Sequence, residues 1–542
     1  MRRLVVLAAA ATLLAGGCSS SKTGSVALDG SMRLAVVGID HDVDPAAVVA
    51  TNQSQMVLLD LLADGLTAID PSDNQATASI ASKWSLDSAG TTWTFDLKSD
   101  ATFSDGTSIT ASRVIDALEH VASKPDSLQG SRLSIISGQP EFVSGAATHI
   151  SGFVATDEYK LSVTTLVPDE DLPTLLASPL YGVTKQAEVA SAPSTSAPAG
   201  PNSALWTVGS GPFRVDDPSG SLTSANRLAR VKQDKARIAT IELVRVADKP
   251  AALQAVQDGR ADWAPAPAGT PEGAIGSPST TAASSQGTVV SAPMGAEVFF
   301  GMNMANPTFA SQQFRQAIVQ AVDASKVASA GYAGVVANSA IVPPGVPGAV
   351  VDPCGASCRY NPEDSKFLLT QVFPDGKVPT IEIDTSDGAG EIAAANSVAD
   401  QLIAVGIPAV VLAKPFNEYL SFVTSGNAQL FRFGWVGMSP TGGAYLAPLF
   451  RSKSLDNLTS FSSLDVDASL VAAAAVHGAS KRAESYAAIE KAILAESPVM
   501  PIGAYRLSVG LGSSVHDYVA QLDGTFVVDK VWVDPGSNSS GN

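Results

Sequence analysis

The amino-acid sequence predicts a mixed α/β protein that is divided into more than one lobe. Its 542 residues are too many for one hydrophobic core, since single cores stop growing at about 250 to 300 residues. Trp93, Phe95 and Leu97 alternate with polar residues, which is typical of a strand with one buried face. Thr110 then takes an N-cap position, and the apolar residues in 114–121 recur at the spacing of one helical face.

The same alternation of strands and helices continues along the chain. Residues 238–246 are predicted as a strand and residues 248–262 as a helix closed by Gly259, which together form a βα unit. Residues 288–304 are predicted as a pair of apolar strands. Two stretches rich in Ala, Ser and Pro, 187–202 and 264–287, are predicted as loops of low order, because they carry little that can fill a core.

Charge and motif content exclude several classes of function. The net charge is −18 at pH 7, so no nucleic-acid partner is expected, because phosphate binding requires clustered Lys and Arg. The five histidines are scattered, and the chain has no His-Glu-x-x-His site, Walker A motif or full Gly-x-Gly-x-x-Gly motif. We therefore expect no enzyme, no cofactor and no metal. A hydrolase with catalytic residues far apart in the sequence stays a less favoured alternative.

The N-terminal segment has the features of an export signal. Met1 to Arg3 is charged, and the apolar run from Leu4 to Ala15 is too short for a permanent transmembrane helix. Cys18 follows Gly17 in a sequence that resembles a lipobox, which predicts a signal peptide over 1–17, lipidation of Cys18 and a polar tether over 18–30. The alternative is an ordinary cleaved signal with a chance cysteine. We expect an exported protein anchored by lipid to the outer face of the cytoplasmic membrane.

Two further cysteines, Cys354 and Cys358, lie in a short loop with Pro and Gly. An exported chain meets oxidising conditions, so a local disulfide is predicted. A metal site is the alternative, but this loop supplies neither a histidine nor a third cysteine.

Blocks of the sequence resemble the dipeptide- and oligopeptide-binding lipoproteins of ABC importers, family 5 of the extracellular solute-binding proteins. The blocks occur in the order found in that family, and the most specific are Trp93 to Lys98, Phe103-Ser104-Asp105-Gly106, Gly209-Ser210-Gly211-Pro212-Phe213, Arg315-Gln316-Ala317-Ile318, Tyr360-Asn361-Pro362-Glu363, Arg432 to Met438 and Pro498 to Pro501.

The resemblance implies a periplasmic-binding-protein-like fold of class II, with two main lobes joined by a hinge and an extra small α/β subdomain. It places 31–70, 205–288 and 505–535 in lobe I, 71–204 in the extra subdomain (domain II) and 289–504 in lobe III. It also implies a monomer that binds a short peptide and delivers it to the permease and ATPase subunits of an importer. The alternatives are haem or another non-peptide ligand in the same fold, and an envelope protein that senses its ligand.

The resemblance also implies the ligand-binding residues, which are Asn52, Gln53, Ser54, Arg432, Phe433, Gly434, Trp435, Val436 and Met438. In this interpretation Gly434 lets backbone approach the peptide, Trp435 forms the wall of a pocket and Arg432 meets a carboxylate. From the residues alone, a buried core strand with a core tryptophan is the favoured interpretation.

Met438 departs from the family pattern, because relatives commonly place there an aspartate that binds the α-ammonium group of the peptide. A thioether cannot neutralise an ammonium ion, so another acid is needed or the ligand differs. Asp40, Asp42, Asp44 and Glu418 are the candidates for that acid.

Overall fold

The structure is a computed structural model that describes residues 30–40, 43–186, 208–217, 222, 225–276 and 285–534. The predicted signal peptide, Cys18, nearly all of the tether, Asp42 and the predicted loop 187–202 lie outside the described residues. Within the described ranges, no helix has the length and apolar character needed to cross a membrane.

The strands in chain order are β1 (Gly30–Val37), β2 (Thr67–Asp70), β3 (Gln75–Ala78), β4 (Ala81–Leu86), β5 (Thr92–Leu97), β6 (Phe153–Asp157), β7 (Lys160–Thr164), β8 (Phe213–Val215), β9 (Arg227–Arg230), β10 (Ile238–Val246), β11 (Trp263–Pro265), β12 (Gly273–Gly276), β13 (Ser285–Met302), β14 (Val335–Ala337), β15 (Ile381–Ser386), β16 (Ala409–Lys414), β17 (Leu430–Val436), β18 (Val499–Gly512), β19 (Val515–His516) and β20 (Trp532–Val533).

The α-helices in the same order are α1 (Gln53–Leu62), α2 (Ala111–Ala122), α3 (Leu128–Arg132), α4 (Gln139–Val143), α5 (Leu172–Leu175), α6 (Lys249–Gln257), α7 (Gln312–Ala321), α8 (Ala324–Gly331), α9 (Pro362–Val372), α10 (Ala389–Ala404), α11 (Phe416–Thr424), α12 (Gly443–Phe450), α13 (Leu464–Ala474) and α14 (Ala479–Ala495).

One large sheet organises the described residues. Its strand order is β16-β15-β17-β13-β18-β11-β1-β10-β9-β8, with β12 added to β13 and β14 added to β18. We call strands β1 and β8 to β11 the first half of the sheet, and β14 to β17 the second half. The long strands β13 and β18 lie between the halves and pair with each other along nearly their whole length.

The predicted βα unit in the first half is confirmed. β1 pairs in parallel with β10 from Gly30 to Val37, and α6 connects β10 to β11. The Asp248 side chain caps α6 by accepting a hydrogen bond from the Ala251 amide at 2.8 Å. Gly259 ends the unit with a φ of 68°, a conformation that glycine adopts without steric cost.

A second, four-stranded sheet of order β4-β5-β7-β6 forms the small-sheet subdomain, residues 81–186. Trp93, Phe95 and Leu97 of β5 are buried as the alternating pattern predicts, and α2 begins after Thr110. The cores of this subdomain and of the first half are continuous, because Leu34 of β1 and Phe95 of β5 belong to one buried cluster.

Two predictions for residues 264–304 are wrong in detail. The predicted loop 264–287 contains β12, and the predicted pair of strands in 288–304 is the single strand β13. β12 has few of the branched residues that favour strands, yet it lies against the free edge of β13, which supplies its hydrogen-bond partners. Tertiary pairing thus overrides local composition in this segment.

The ladder between β13 and β18 is interrupted after Pro293 and again after Val298, and the first interruption is the larger. Pro293 pairs with Arg506 and Glu297 pairs with Ala504, so three residues of β13 face a single residue of β18. Proline has no amide hydrogen to donate, and the first interruption begins at that residue. This bulge lies where the two halves of the sheet meet.

The Sγ atoms of Cys354 and Cys358 are at bonding distance, and their Cα atoms are 5.7 Å apart. A short 3-10 turn, Gly355–Ser357, brings them together. The pair is therefore the local disulfide that the sequence predicts.

Candidate functional site

A cavity of about 420 Å³ lies beside the larger interruption of the β13 and β18 ladder. This volume suits a small ligand. Residues from α1, α6, β13, β17, β18 and the C-terminal segment line it, including Ala50, Thr51, Gln53, Lys249, Met294, Ala296, Glu297, Arg432, Gly434, Trp435, Val436, Tyr505, Arg506, Ser508, Asp523 and Gly524.

Part of β17, a strand that contributes to the cavity lining, has no strand partner on one side within the described ranges. Along its inner edge, β17 pairs with β13 from Leu430 to Val436. Along its outer edge, β15 pairs only with Leu430 and Phe431. Among the described residues, 433–436 therefore have no strand partner on the outer side, although Arg432, Gly434, Trp435 and Val436 all line the cavity. An open strand edge can accept an extended ligand as a further strand.

Trp435 is both a core residue and a wall of the cavity. Its side chain belongs to a buried cluster and is only 5% exposed. The indole Nε1 donates a hydrogen bond to the Ala444 carbonyl at 2.9 Å, and the Arg132 guanidinium lies 4.4 Å from the centre of the ring. Trp435 can therefore be both the core residue and the pocket wall that the sequence offered as alternatives.

The other predicted residues of β17 differ in their roles. Gly434 is required by close packing, since a Cβ atom there would lie 2.9 Å from the Glu297 carbonyl oxygen. Phe433 does not line the cavity but packs edge-on against Phe299, with ring centres 6.0 Å apart. Arg432 does line it, but its Nε is 2.9 Å from the Glu391 carboxylate. Its charge is therefore already compensated.

The predicted residues at the start of α1 also separate into two groups. Gln53 lines the cavity, and its Nε2 is buried without a hydrogen-bond partner among the described residues. Asn52 caps α1 by accepting from the Gln55 amide at 3.2 Å, and Ser54 accepts from the Val37 amide at 3.1 Å. The side chains of Asn52 and Ser54 thus make internal bonds, whereas Gln53 keeps a donor available for a ligand.

Met438 lies outside the main cavity. It is buried in the core and lines a separate space of about 40 Å³ with Tyr445 and Leu522. The strand β17 ends at Val436, and the Gly437 amide bonds to the Gly295 carbonyl at 2.9 Å. The Gly437 bond continues the register of the ladder by one residue, and the chain bends at 438–440. Strand alternation therefore no longer sets the direction of the methionine side chain.

The acids proposed from the sequence also lie elsewhere. Asp44 is bound by the His120 ring at 2.9 Å, and Asp40 and Glu418 are exposed residues that do not line the cavity. The acids that line it are Glu297 and Asp523, and the sequence analysis proposed neither of them.

Asp523 is the more accessible of these two acids. It belongs to the turn 521–525, where its Oδ1 accepts hydrogen bonds from the amide and hydroxyl of Thr525 at 3.0 and 2.7 Å. Burial raises the pKa of the Asp523 carboxyl. Asp523 also lines the space beside Met438, so it brings a carboxylate close to the position where relatives have their aspartate.

Glu297 is almost completely enclosed. Its side chain is on β13 opposite Trp435, the residue is 1% exposed, and its Oε1 has no hydrogen-bond partner among the described residues. Burial, and then the charge of Glu490, raises the pKa of Glu297. Burial of a lone carboxyl favours its neutral form.

Cations face the cavity from two other elements. Lys249, at the start of α6, has no carboxylate within salt-bridge distance among the described residues, and burial lowers the pKa of its ammonium group. Arg506, on β18, donates to the hydroxyl and carbonyl oxygens of Ser291 at 2.7 and 2.9 Å. The cavity therefore presents both signs of charge.

The described residues contain no group of three or more His, Cys, Asp or Glu placed to hold a metal ion.

Glu490, on α14, is a second buried carboxyl, and its charge acts on Glu297. It is fully buried, its Oε1 accepts from the amides of Ile341 and Val342 at 2.6 and 2.8 Å, and burial raises its pKa to about 7. A raised pKa means that its stabilising contribution is complete below the unfolded-state pKa of about 4.3 and is lost as the pH rises through about 7.

Glu490→Gln should therefore flatten the pH dependence of stability, because the amide keeps an oxygen for both backbone donors but does not ionise. The change in the free energy of unfolding between low and neutral pH should shrink by about 1.4 kcal/mol for each unit by which folding raises the Glu490 pKa. Urea unfolding at about pH 5 and about pH 7.5 measures it. Glu484→Gln, on the exposed side of the same helix, is the control. An unchanged slope in Glu490→Gln would contradict the prediction.

The fold and the cavity together define a protein that encloses a solute between the two halves of a divided sheet. A family model described as bacterial extracellular solute-binding proteins, family 5 middle, matches residues 75–457. The chain therefore belongs to family 5 of the bacterial extracellular solute-binding proteins, as the sequence blocks predict. The members and structural neighbours are binding proteins.

Solved structures show the same fold over nearly the whole chain. The unliganded open form of MppA, a periplasmic murein tripeptide binding protein, is 17% identical with a TM-score of 0.74, covering 94% of this chain and 98% of that one. HbpA2 from Haemophilus parasuis is 16% identical with a TM-score of 0.74, covering 93% and 100%. Haemophilus influenzae OppA in complex with RPPGFSPFR is 15% identical with a TM-score of 0.66, covering 94% and 100%. No curated protein matches the chain in a sequence comparison.

Proposed function

We propose that this chain is the substrate-binding lipoprotein of an ABC importer, which captures short peptides in the cavity and delivers them to a membrane permease. The observation that carries the proposal is the cavity of about 420 Å³, whose lining includes Gly434, Trp435 and Val436, residues of β17 that have no strand partner on their outer side in the described part of the chain. An extended peptide offers a regular series of amide and carbonyl groups, so such an edge can bind it whatever its side chains are.

The charges around the cavity suit both ends of a peptide. Asp523 can receive an α-ammonium group, and Lys249 and Arg506 can receive a carboxylate. Gln53 adds an unpaired donor for a backbone carbonyl. A ligand that carries both charges can compensate Asp523 and Lys249, whereas an apolar ligand would cover these charged groups without a partner of opposite charge.

Two of the three named structures support a peptide. MppA binds a murein tripeptide and the OppA structure holds a peptide. The haem alternative came from the family resemblance and from Met438, which lies in the core and outside the cavity. We further infer that the first half and the second half of the sheet act as lobes I and III, and that Cys18 carries the lipid anchor.

Native mass spectrometry of freshly purified protein tests this function. The expected result is a bound species with the mass of a short peptide, or, after partial unfolding and refolding, uptake of members of a mixed tripeptide library. Removal of the gene should also abolish import of labelled tripeptide. A protein that retains and binds no peptide under these conditions would contradict the proposal, and unchanged import would favour a sensor instead.

A further inference from the structure

A side chain from the small-sheet subdomain supports the wall of the cavity from behind. Arg132 is the last residue of α3, and its guanidinium lies 4.4 Å from the centre of the Trp435 ring. Its Nη2 also lies 3.2 Å from the Asp456 carboxylate. The Arg132 side chain is only 17% exposed. A cation held over an indole ring away from water gives a strong contact of its kind.

The same helix is fixed to the opposite wall of the cavity. The buried Gln129 side chain donates a hydrogen bond to the Pro45 carbonyl at 2.8 Å, and the Tyr181 hydroxyl donates to the Gln129 carbonyl at 3.1 Å. Pro45 begins the loop that continues to Ala50 and Thr51, which line the cavity. α3 therefore contacts the loop on one side of the cavity and Trp435 on the other.

Trp435 therefore lies next to both the cavity and a cation. It lines the cavity, the Arg132 guanidinium lies over its ring, and Ala444 fixes its Nε1. A ligand that contacts Trp435 meets an orientation that Arg132 helps to set. Displacing the ring would weaken the contact of α3 with this side of the cavity and, among the described residues, leave Arg132 only its ion pair with Asp456.

We propose that Arg132 is a positioning residue that holds Trp435 in the orientation that the ligand meets. Through this contact ligand binding is coupled to docking of the small-sheet subdomain, and we call α3 in this role the clasp. The ligand part of this inference rests on the proposed peptide-binding function. Arg132 itself is not proposed to touch the ligand.

A double-mutant cycle on binding of trialanine tests the coupling. Arg132→Met should weaken binding about tenfold, and Trp435→Leu should weaken it at least as much. The double variant should bind no more weakly than Trp435→Leu alone, since Arg132 acts through the ring. Arg359→Met, a change at an exposed arginine outside the cavity, should bind as the native protein does. Additive losses, or unchanged binding by Arg132→Met, would overturn the proposal.

Hydrogen exchange of the ligand-free protein separates this inference from the proposed function. Trp435→Leu should speed exchange of the α3 amides about tenfold by removing the ring beneath Arg132. Phe433→Leu, which changes an aromatic residue on the same strand that packs against Phe299, should leave α3 protected. If trialanine does not bind the native protein but Trp435→Leu still speeds exchange of the α3 amides, the peptide function fails and the clasp stands. Equal protection of α3 in all proteins would overturn the clasp.

Discussion

Asp523→Asn should lower the affinity for peptides with a free α-ammonium group by about 30-fold or more, because removing one partner of an enclosed charge pair costs about 2 to 5 kcal/mol. The asparagine keeps the size of the side chain and an oxygen for the Thr525 donors. N-acetylated peptides carry no ammonium group and should lose far less. Calorimetric titration of trialanine and N-acetyl-trialanine against both proteins measures the difference.

The pH dependence of binding gives a second measurement. Burial raises the pKa of Asp523, and an ammonium ion favours the ionised carboxylate. Binding should therefore weaken as the pH falls through that pKa, and Asp523→Asn should lack this part of the pH dependence. Asp529→Asn, at an exposed residue of the same C-terminal segment, is the matched control. If Asp523→Asn discriminates between the two peptides as the native protein does, Asp523 is not the amine site.

Asp171→Ala should destabilise the docking of the small-sheet subdomain by about 3 to 5 kcal/mol, the usual cost of leaving a buried charge unpaired. Asp171 is 8% exposed, and it accepts from Arg482 Nε at 2.5 Å and from the Tyr486 hydroxyl at 3.0 Å. Both partners are on α14, so this pair joins the subdomain to the second half of the sheet. Urea unfolding followed by tryptophan fluorescence and by circular dichroism measures the loss.

The neighbouring residue supplies the control for Asp171. The side chain of Glu170 is 14% exposed, but that of its partner His477 is 95% exposed. Removing Glu170 thus leaves no buried charge without a partner, and ion pairs that reach water contribute only about 0 to 1 kcal/mol. Glu170→Ala should therefore change stability little. Comparable losses in the two variants would show that burial of the Asp171 pair does not set its contribution.

Much of the fold could be predicted because burial follows periodicity in this chain. The alternation in β5 and the helical face of α2 both place in the core the residues that the pattern selects. β12 could not be predicted this way, because its Gly-Ala-Ile-Gly sequence carries no strand pattern. The length of β13 could not be predicted because its partners β17 and β18 are far away in the sequence. Hydrogen bonds to an open strand edge do not depend on apolar pattern, so they leave no local signal.

The site could be predicted in part for a related reason. The resemblance located β17, and Trp435 and Gly434 line the cavity where it placed them. Met438 could not be placed, because the strand ends two residues before it. Asp523 was not predicted because it is far from β17 in the sequence. It reaches the cavity only because it follows β18, which brings the chain back past the cavity. Its Asp-Gly pair is typical of an ordinary turn in the sequence.

The interruption between Pro293 and Glu297 has a consequence for the proposed function. Two continuous strands cross between the halves, so if the halves act as lobes we expect their relative rotation to centre on the stretch where inter-strand bonds are already missing. Points near a rotation axis travel least, and Met294 and Ala296 of that stretch line the cavity. A ligand that binds there first would keep those contacts while the flanking walls of the cavity move towards its two ends. Binding would then proceed from the middle of the ligand outwards.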